Sequence, residues 1–459
     1  MATVRKPTHK RNKTTLHVSD DVIETIFSHL PVKKLVGLSI LSKRFRYSWK
    51  FCRDISFDSD FARNLSRNEF KNIVNNFFQN YLNSTADRFS LYFDAIEETN
   101  LVGYWIQQAV RLGIKEIELD FTPSQRRFML SYDLVNVDTI KIMKLVNCEL
   151  QLPFNPINCL SNLIDLTFQN VRARPLAIKT VFGNCLALRI LRLINCNFIF
   201  DLKISAQNLK RFEILVVRDC SEVDSVFINA PHLSSLHYHG KICEFNFEND
   251  FSQIKDVILN IAHPRGFQIL PHIKDMVFSL ALVRTLTVSS IFLEGLCPKF
   301  DGTEYKELEF YLWKLKEFHL VVAPESHLNP CDIVIFLKYC PCVERVFIDL
   351  GHNAFMNSLY WDFHGRKYLS GCDTVFPFLK YMKIKGFTAR ELPVMMARFF
   401  LKNAMNLHCL VLVKARNFDF PGTFTPYYLR WGISSNANIE VYEYNRDISI
   451  VIPEHLKGF

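Results

Sequence analysis

Residues 185–196 read Cys-Leu-Ala-Leu-Arg-Ile-Leu-Arg-Leu-Ile-Asn-Cys, and this stretch carries the pattern that decides the fold. Leu188, Leu191 and Leu193 follow the spacing apolar-x-x-apolar-x-apolar. The last two leucines are two residues apart, and because successive side chains of a strand point to opposite faces, they share one face. The stretch therefore predicts a short strand with one buried face.

The same template recurs from about residue 110 towards the C-terminus. Its apolar triplets are Ile114-Ile117-Leu119, Val137-Ile140-Ile142, Leu163-Leu166-Phe168, Leu188-Leu191-Leu193, Phe212-Leu215-Val217, Leu233-Leu236-Tyr238, Ile254-Val257-Leu259, Val283-Leu286-Val288, Leu315-Phe318-Leu320, Val343-Val346-Ile348, Leu379-Met382-Ile384 and Leu407-Leu410-Leu412. This pattern with a period of roughly 20–29 residues is the signature of the leucine-rich repeat, whose unit is a strand and a returning segment. It predicts an α/β fold, an irregular solenoid with parallel strands on the concave face and helices or loops on the convex face.

Small residues recur in phase with the template. Cys185, Ala230, Cys340 and Ala404 stand three places before the first apolar residue, and three strands end in a cysteine, at Cys148, Cys196 and Cys220. Stacked repeats need small buried residues where neighbours meet, and a free cysteine usually packs as a small hydrophobe. We therefore expect buried spacers, and we favour this interpretation over a redox or metal pair at Cys340-Pro-Cys342.

The residue between the last two apolar positions, and the residue after them, should line the open face of the sheet. For the second triplet these residues are Lys141 and Met143. Along the array this face mixes acidic, basic and apolar side chains, which suits a protein target better than a polyanion. The candidate target contacts are Arg192, Arg218, His237, His239, His319, Phe347 and Lys383.

The first sixty residues follow a helical pattern instead. Ser19 is a plausible N-cap for a helix whose apolar residues are Val22, Ile23, Ile26, Phe27 and Leu30. Pro31 ends that helix and can open a second one, and Ser42 can cap a third that carries Phe45 and Trp49. Three such helices cannot bury enough apolar surface alone, so the rest of the chain or a partner must cover them.

The residues of this region resemble a plant-type F-box. The matching runs are Val18-Ser-Asp-Asp-Val-Ile-Glu-Thr-Ile-Phe-Ser-His-Leu-Pro31 and Leu41-Ser-Lys-Arg-Phe-Arg-Tyr-Ser-Trp49. The departures are Val18 and Ser19 for the usual Leu-Pro, and Phe45 for Trp. The resemblance implies docking to the Skp-type adaptor of a cullin–RING ubiquitin ligase. The contacts it implies are Val18, Ser19, Ile23, Ile26, Leu30, Pro31 and Leu35.

A second resemblance covers the last ninety or so residues. Leu379-Lys-Tyr-Met-Lys-Ile-Lys-Gly-Phe387, Glu391 and Phe400-Leu-Lys-Asn-Ala404 are similar to the FBD region that follows the repeats in many plant F-box proteins. The organisation we expect is a basic disordered tail at 1–15, an F-box at 16–57, leucine-rich repeats at 58–370, and terminal repeats with the FBD-like region at 371–459.

The charge distribution and the motifs argue against several other classes of function. Of the net charge of +9, five positive charges crowd the first fifteen residues, at Arg5, Lys6, Lys10, Arg11 and Lys13. They form a solubilising arm or a short nuclear-localisation patch. The body has no basic stripe for a nucleic acid, no apolar run for a membrane and no secretory signal, so we expect reduced cysteines and a location in the nucleus, the cytoplasm or both.

The sequence shows no P-loop, dinucleotide fingerprint, nucleophile elbow or paired C-x-x-C, so we expect no catalysis, cofactor or metal. His237, His239 and Cys243 could form a zinc site, but no fourth ligand is evident. The alternating acids Glu116 and Glu118 suggest an exposed edge or an ionic contact.

The function expected is recognition: a non-catalytic subunit whose F-box docks a ligase adaptor and whose repeats bind a target protein for ubiquitination. The alternative is a leucine-rich-repeat scaffold that acts without a cullin, with the F-box as an N-terminal cap.

Overall fold

The structure is a computed structural model, and it describes residues 19–81, 85–151, 160–172, 175–197, 199–248, 253–262, 273, 276–277, 279–296, 310–323, 326, 328–351, 366–418, 420, 425–449 and 451–453. The chain divides into two compact units, Met1–Arg126 and Arg127–Phe459. The basic tail and Val18 lie outside the described residues.

The first unit begins with helices and continues with parallel strands. Its helices are α1 Asp20–Ser28, α2 Val32–Leu41, α3 Ser59–Ala62, α4 Arg67–Asn80 and α5 Thr99–Arg111. Its strands are β1 Asp54–Phe57, β2 Arg88–Tyr92 and β3 Glu116–Asp120. The three strands pair in parallel, so that Ile55, Phe89 and Ile117 occupy one register position.

The predicted third helix is replaced by two 3₁₀ turns, Lys43–Phe45 and Ser48–Phe51. Ser42 caps the first turn through its hydroxyl, which accepts from the backbone N–H of Arg44 at 3.2 Å. The chain leaves helical geometry at Tyr47, where φ is −114° and ψ 13°. Two turns of this kind place Phe45 and Trp49 against different neighbours: Phe45 meets Phe27, whereas Trp49 meets Phe77.

An aromatic cluster forms the core of the first unit. Phe57 on β1 makes edge-on contacts with Phe61, Phe70 and Phe77, at centroid distances of 5.1, 6.2 and 5.3 Å. Trp105 on α5 is fully buried and satisfies its indole N–H through Asn75 Oδ1 at 2.7 Å. The helices α4 and α5 thus bury their apolar faces against the strands between which they lie in sequence.

The second unit is a long parallel sheet with returning segments. The strands of this sheet are, in spatial and chain order, β5 Ile142–Val146, β7 Asp165–Gln169, β8 Ile190–Ile194, β10 Ile214–Arg218, β12 Ser235–Lys241, β14 Asp256–Ala262, β15 Thr285–Ser289, β16 Glu317–Val321, β17 Arg345–Asp349, β18 Tyr381–Phe387, β19 Cys409–Lys414 and β20 Asn438–Tyr442. The helices are α6 Pro175–Asn184, α7 Ser290–Leu296, α8 Pro330–Lys338, α9 Arg366–Gly371, α10 Glu391–Asn403 and α11 Pro426–Arg430, with 3₁₀ turns at Tyr132–Leu134 and Tyr444–Arg446.

Some returning segments are strands, where helices or loops were expected. They are β4 Phe128–Ser131, β6 Cys148–Gln151, β9 Asp201–Ser205, β11 Ser225–Asn229 and β13 Glu244–Phe247. The last three form a parallel sheet of their own. The apolar triplets that begin at Leu188, Phe212, Leu233 and Ile254 are 21–24 residues apart, which leaves little room for a helix. Alternating apolar residues such as Leu202 and Ile204 therefore pack as strands, both buried.

Eleven of the twelve predicted triplets are buried throughout, which confirms the repeat template. The second triplet was assigned three residues too early. Ile142 is 40% exposed, whereas Met143 and Leu145 are buried and pair with Leu166 and Phe168. The correct triplet is Ile140-Met143-Leu145, so Met143 belongs to the core and Lys144 takes the open position.

Three strands of the same kind were missed: β1, β2 and β20. The first two fit the template with a small residue in the first place, Cys52 before Ile55 and Ala86 before Phe89, all buried. The third has Ile439 and Val441 after β19, so the FBD-like region continues the sheet. A search that accepted Cys or Ala as the first apolar residue would have found β1 and β2.

The predicted spacers are buried, with Cys148, Cys185, Cys196, Cys220, Cys340, Ala230 and Ala404 at most 6% exposed. The thiols of Cys196 and Cys220 donate to carbonyl groups of the preceding strands. Within the described parts of the chain, no helix has the length and apolar character required to cross a membrane.

Candidate functional site

The helices of the F-box region expose apolar side chains. Val22 and Ile26 on α1 are 49% and 51% exposed, and Ile40 and Leu41 on α2 are 82% and 78% exposed. We call these four residues the F-box surface. Isolated exposed aliphatic residues are ordinary, but four on two short helices form a feature of interaction sites.

The predicted adaptor contacts occupy different environments. Ser19 is exposed and is the N-cap of α1, although its hydroxyl makes no capping hydrogen bond. Ile26 is exposed, whereas Ile23, Leu30 and Pro31 are half-buried. Leu35 is fully buried and has no surface to offer, and α2 as a whole contacts the 3₁₀ turns and β1. Ile40 and Leu41 are more exposed than any of the contacts predicted on α1 and α2, and Val36 and Ile40 have the i, i+4 spacing of one helix face.

Contacts within the first unit hold this region in place. Phe27 and Phe45 make a T-shaped pair at 5.3 Å, and Trp49 lies 5.6 Å from Phe77 on α4. Cys52 is buried, and its thiol donates to the Asp54 carbonyl at 2.8 Å. Burial raises the pKa of that thiol to about 12, so it stays protonated.

The open face of the second unit carries the candidate target contacts in two neighbouring register rows. The residues that occupy the central open position are Lys144, Thr167, Arg192, Val216, His237, Ile258, Thr287, His319, Phe347, Lys383, Val411 and Glu440. Arg218 and His239 are neighbours in the next row. The strands therefore bring all seven candidate contacts to the same face.

Four basic residues on the first half of this face have acidic partners. Arg192 is bonded to Asp165 at 2.5 Å, and Arg218 lies 3.3 Å from Asp219. His239 Nδ1 lies 2.7 Å from Asp219, while His237 Nε2 lies 2.9 Å from the Ser235 hydroxyl and 3.5 Å from Asp256. These partners orient the side chains and leave Arg218 the most exposed of the four, at 60%.

The row is buried from Thr287 to Val411. His319 and Phe347 are 8% and 3% exposed, and their rings lie 6.2 Å apart. Lys383 is also buried, and its ammonium group donates to Asp447 Oδ2 and Ser449 Oγ, both at 2.6 Å. These two partners follow β20, so the chain returns over its own sheet.

The carboxyl groups with a clearly shifted pKa are held by hydrogen bonds and ion pairs. A general acid at neutral pH needs a raised pKa, but the carboxyl groups with a clear shift have lowered ones. Glu344 is an example, because hydrogen bonds from Lys380 and Lys316 lower its pKa to about 2. The described residues contain no group of three His, Cys, Asp or Glu side chains placed to hold a metal ion.

A helical region with an exposed apolar surface, followed by a parallel repeat sheet, defines the class of F-box/leucine-rich-repeat proteins. The comparisons with known proteins agree with this class. A family model described as "At1g61320/AtMIF1, LRR domain" matches residues 84–421, and the F-box domain model matches residues 16–55. The chain belongs to this leucine-rich-repeat family and carries an F-box domain.

Curated proteins of Arabidopsis thaliana are similar over most of the chain. FBD-associated F-box protein At1g61320 is 28% identical over 418 residues, which cover 89% of this chain and 90% of that protein. Putative FBD-associated F-box protein At1g61330 is 27% identical over 415 residues, covering 89% and 93%. F-box/LRR-repeat protein 13 is 23% identical over 359 residues, covering 72% and 75%.

Proposed function

We propose that this protein is the substrate-recognition subunit of an SCF-type cullin–RING ubiquitin ligase. Its F-box docks a Skp-type adaptor, and the open face of its repeats binds a target protein. Because one chain holds both the ligase and the target, the local concentration of the ubiquitin-loaded enzyme near lysines of the target rises. The chain supplies recognition, and the transfer chemistry belongs to other subunits.

The exposed F-box surface is the observation that carries the proposal. Covering exposed apolar side chains with a partner is favourable, and full burial of a fully exposed side chain of this size is worth about 1.5–3 kcal/mol. Ile40 and Leu41 are mostly exposed and approach that range, whereas Val22 and Ile26 are already half-buried and contribute less. The F-box domain match supports an adaptor of the Skp type as that partner.

The proposed target contacts on the open face are Arg192, Arg218, His237 and His239, whose side chains remain partly exposed. His319 and Phe347 are buried and offer no surface, and Lys383 is bonded to Asp447 and Ser449. The guanidinium groups and imidazole rings of the first four residues fit a protein surface that carries acidic and apolar groups. We further propose that the protein acts in the nucleus or cytoplasm. Cys148, Cys185 and Cys340 are buried and form no disulfide, and these compartments keep thiols reduced.

Adaptor binding is the direct test. We expect the purified full chain to bind a Skp-type adaptor, and we expect Ile26→Asp and Ile40→Asp to weaken that affinity at least ~10-fold each, because a carboxylate would be desolvated in the interface. Both side chains are exposed, so both variants should keep the fold. Isothermal titration calorimetry measures the affinity, and circular dichroism checks the fold.

Met405→Asp is the matched control, since Met405 is as exposed as Ile40, at 81% against 82%, but lies among the repeats. We expect it to bind like the wild type. The proposal fails if the wild-type chain does not bind the adaptor, or if the two F-box variants bind as tightly as the control.

A repeat scaffold that works without a cullin is the second candidate. It is favoured by the contact of Trp49 with Phe77 and by the hydrogen bond from the Tyr81 hydroxyl to the Cys52 carbonyl, which join the F-box to the elements that follow it. A chain that folds fully without adaptor and shows no affinity for it would favour this candidate.

A further inference from the structure

The C-terminal segment, residues 443–449, lies on the open face at β18 and β19. Asp447 and Ser449 accept hydrogen bonds from Lys383, and Glu443 pairs with Lys414. Lys385 extends over the ring of Tyr444 at 5.4 Å from the centroid. Three lysines from two strands thus contact one short segment of the same chain.

Two valines show how completely this part of the face is covered. Val411 and Val413 occupy open positions beside Lys383 and Lys385, yet they are 1% and 0% exposed. Val216, which occupies the central open position in β10, is only half-buried. We attribute the difference to the C-terminal segment, because the lysines that contact it flank both valines.

The covering contact is polar, although apolar neighbours surround it. The side chains of Lys383 and Asp447 are only 10% and 19% exposed. Placing such a pair out of water costs desolvation energy, and apolar residues of similar size are often as stable or more so. A contact built in this way is specific and reversible, because both charges regain water when they separate.

We propose that Lys383, Lys385, Val411 and Val413 form a docking patch for an acidic segment of the target, and that residues 443–449 occupy this patch until a target displaces them. This inference rests on the proposed function, since it identifies where the target binds. The occupant has a carboxylate in the place of Asp447 and an aromatic ring three residues before it, in the place of Tyr444. This chemistry is inferred from residues 443–449 of the same chain, which contact the patch.

The test uses a labelled peptide of residues 441–451 added to the full-length protein. The double variant Asp447→Ala/Ser449→Ala releases the polar contacts of the internal segment, so we expect it to bind the peptide at least ~10-fold more tightly than the wild type does. A peptide with Asn in place of Asp447 should lose at least ~10-fold of that affinity, because the charge-assisted bond to Lys383 is lost. Fluorescence anisotropy gives both values.

Lys316→Gln in the same double-variant background is the matched control, because Lys316 pairs with Glu344 away from the patch. It should bind the peptide normally, whereas Lys383→Gln should not. Equal binding of the Asp and Asn peptides, or of wild type and double variant, would overturn the inference, and the peptide variants give this answer even if Lys383→Gln folds poorly. Adaptor binding is measured separately. Normal adaptor binding without peptide binding would contradict this inference and leave the proposed function standing.

Discussion

At the scale of single residues, the strand ends depend on backbone conformations that few side chains tolerate. Asn147, Asn170, Asn195 and Asp219 each follow a strand directly and have φ between 50° and 56°. Asn and Asp adopt this left-handed region more easily than other residues with a β-carbon. Asn170 also donates to Asn147 Oδ1 at 2.8 Å, so these residues both turn the chain and join neighbouring repeats.

Among the described glycines, Gly386 in β18 is held in a place that a β-carbon cannot occupy. Its φ is +76°, and a β-carbon would lie 2.1 Å from the Leu350 carbonyl oxygen. We expect Gly386→Ala to lower the free energy of unfolding by about 2–5 kcal/mol, because backbone strain and a clash with backbone act together. Urea unfolding followed by circular dichroism measures the loss.

Gly183→Ala is the control for that experiment, since Gly183 lies in α6 with open space around it. Alanine is the better helix former, so a gain of up to about 1 kcal/mol is expected. Similar losses in the two variants would show that the Leu350 contact does not restrict position 386.

At the scale of elements, α8 shows how a buried helix begins inside the repeat core. Asn329 Oδ1 accepts from the backbone N–H groups of Cys331 and Asp332, at 2.8 and 3.2 Å. Asp332 returns the contact by accepting from the Asn329 N–H at 3.0 Å. Asn329 and Asp332 are 1% and 0% exposed, so water cannot replace these bonds.

We predict that Asn329→Ala destabilises the second unit by about 2 kcal/mol, the upper end for a lost N-cap, because two buried donors lose their acceptor. Asn329→Ser keeps an acceptor, so its loss of stability should be at most half of the loss in Asn329→Ala. Thermal and urea unfolding give the values. A serine variant as unstable as the alanine variant would mean that packing of the amide, and not capping, matters at this position.

At the scale of the whole molecule, the core holds protonated thiols as spacers in both units. Burial raises the pKa values of Cys52, Cys148 and Cys185 from the ordinary value of 9.0 to about 12. Between pH 9 and about pH 12, the folded state therefore keeps thiol protons that the unfolded chain releases. Their contribution to stability is therefore complete below pH 9 and declines as the pH rises towards 12.

We predict that alkaline pH destabilises the protein through these thiols, by about 1.4 kcal/mol per thiol for each pH unit above 9. The variant Cys148→Ala/Cys185→Ala should be less stable than wild type at pH 8, because it leaves cavities, but its stability should fall less steeply from pH 9 to 10.5. Leu188→Ala, which leaves a cavity at a buried position but removes no thiol, should keep the wild-type slope. Parallel slopes for wild type and the double variant would contradict the prediction.

The repeat sheet was predictable because burial recurs with a short, local pattern. Each strand pairs with its neighbour in register, so Leu191 and Leu215 reach equivalent places without any long-range information. The prediction of the second triplet was wrong because the pattern is so short. Ile140 belongs to two overlapping triplets, and only the pairing of Met143 with Leu166 distinguishes them. The F-box helices α1 and α2 were predictable because their apolar spacing is also a local signal. The irregular turn at Tyr47 has no such signal in the sequence.

Local periodicity is enough to predict the class of fold, the core residues of eleven of the twelve triplets and the open face of those strands. Which of the open residues reach solvent depends on tertiary packing. Leu35 turned inward, and Lys383 met Asp447 across 64 residues of chain. Such contacts depend on how distant segments pack, and no local pattern of side chains encodes which segment covers a given face.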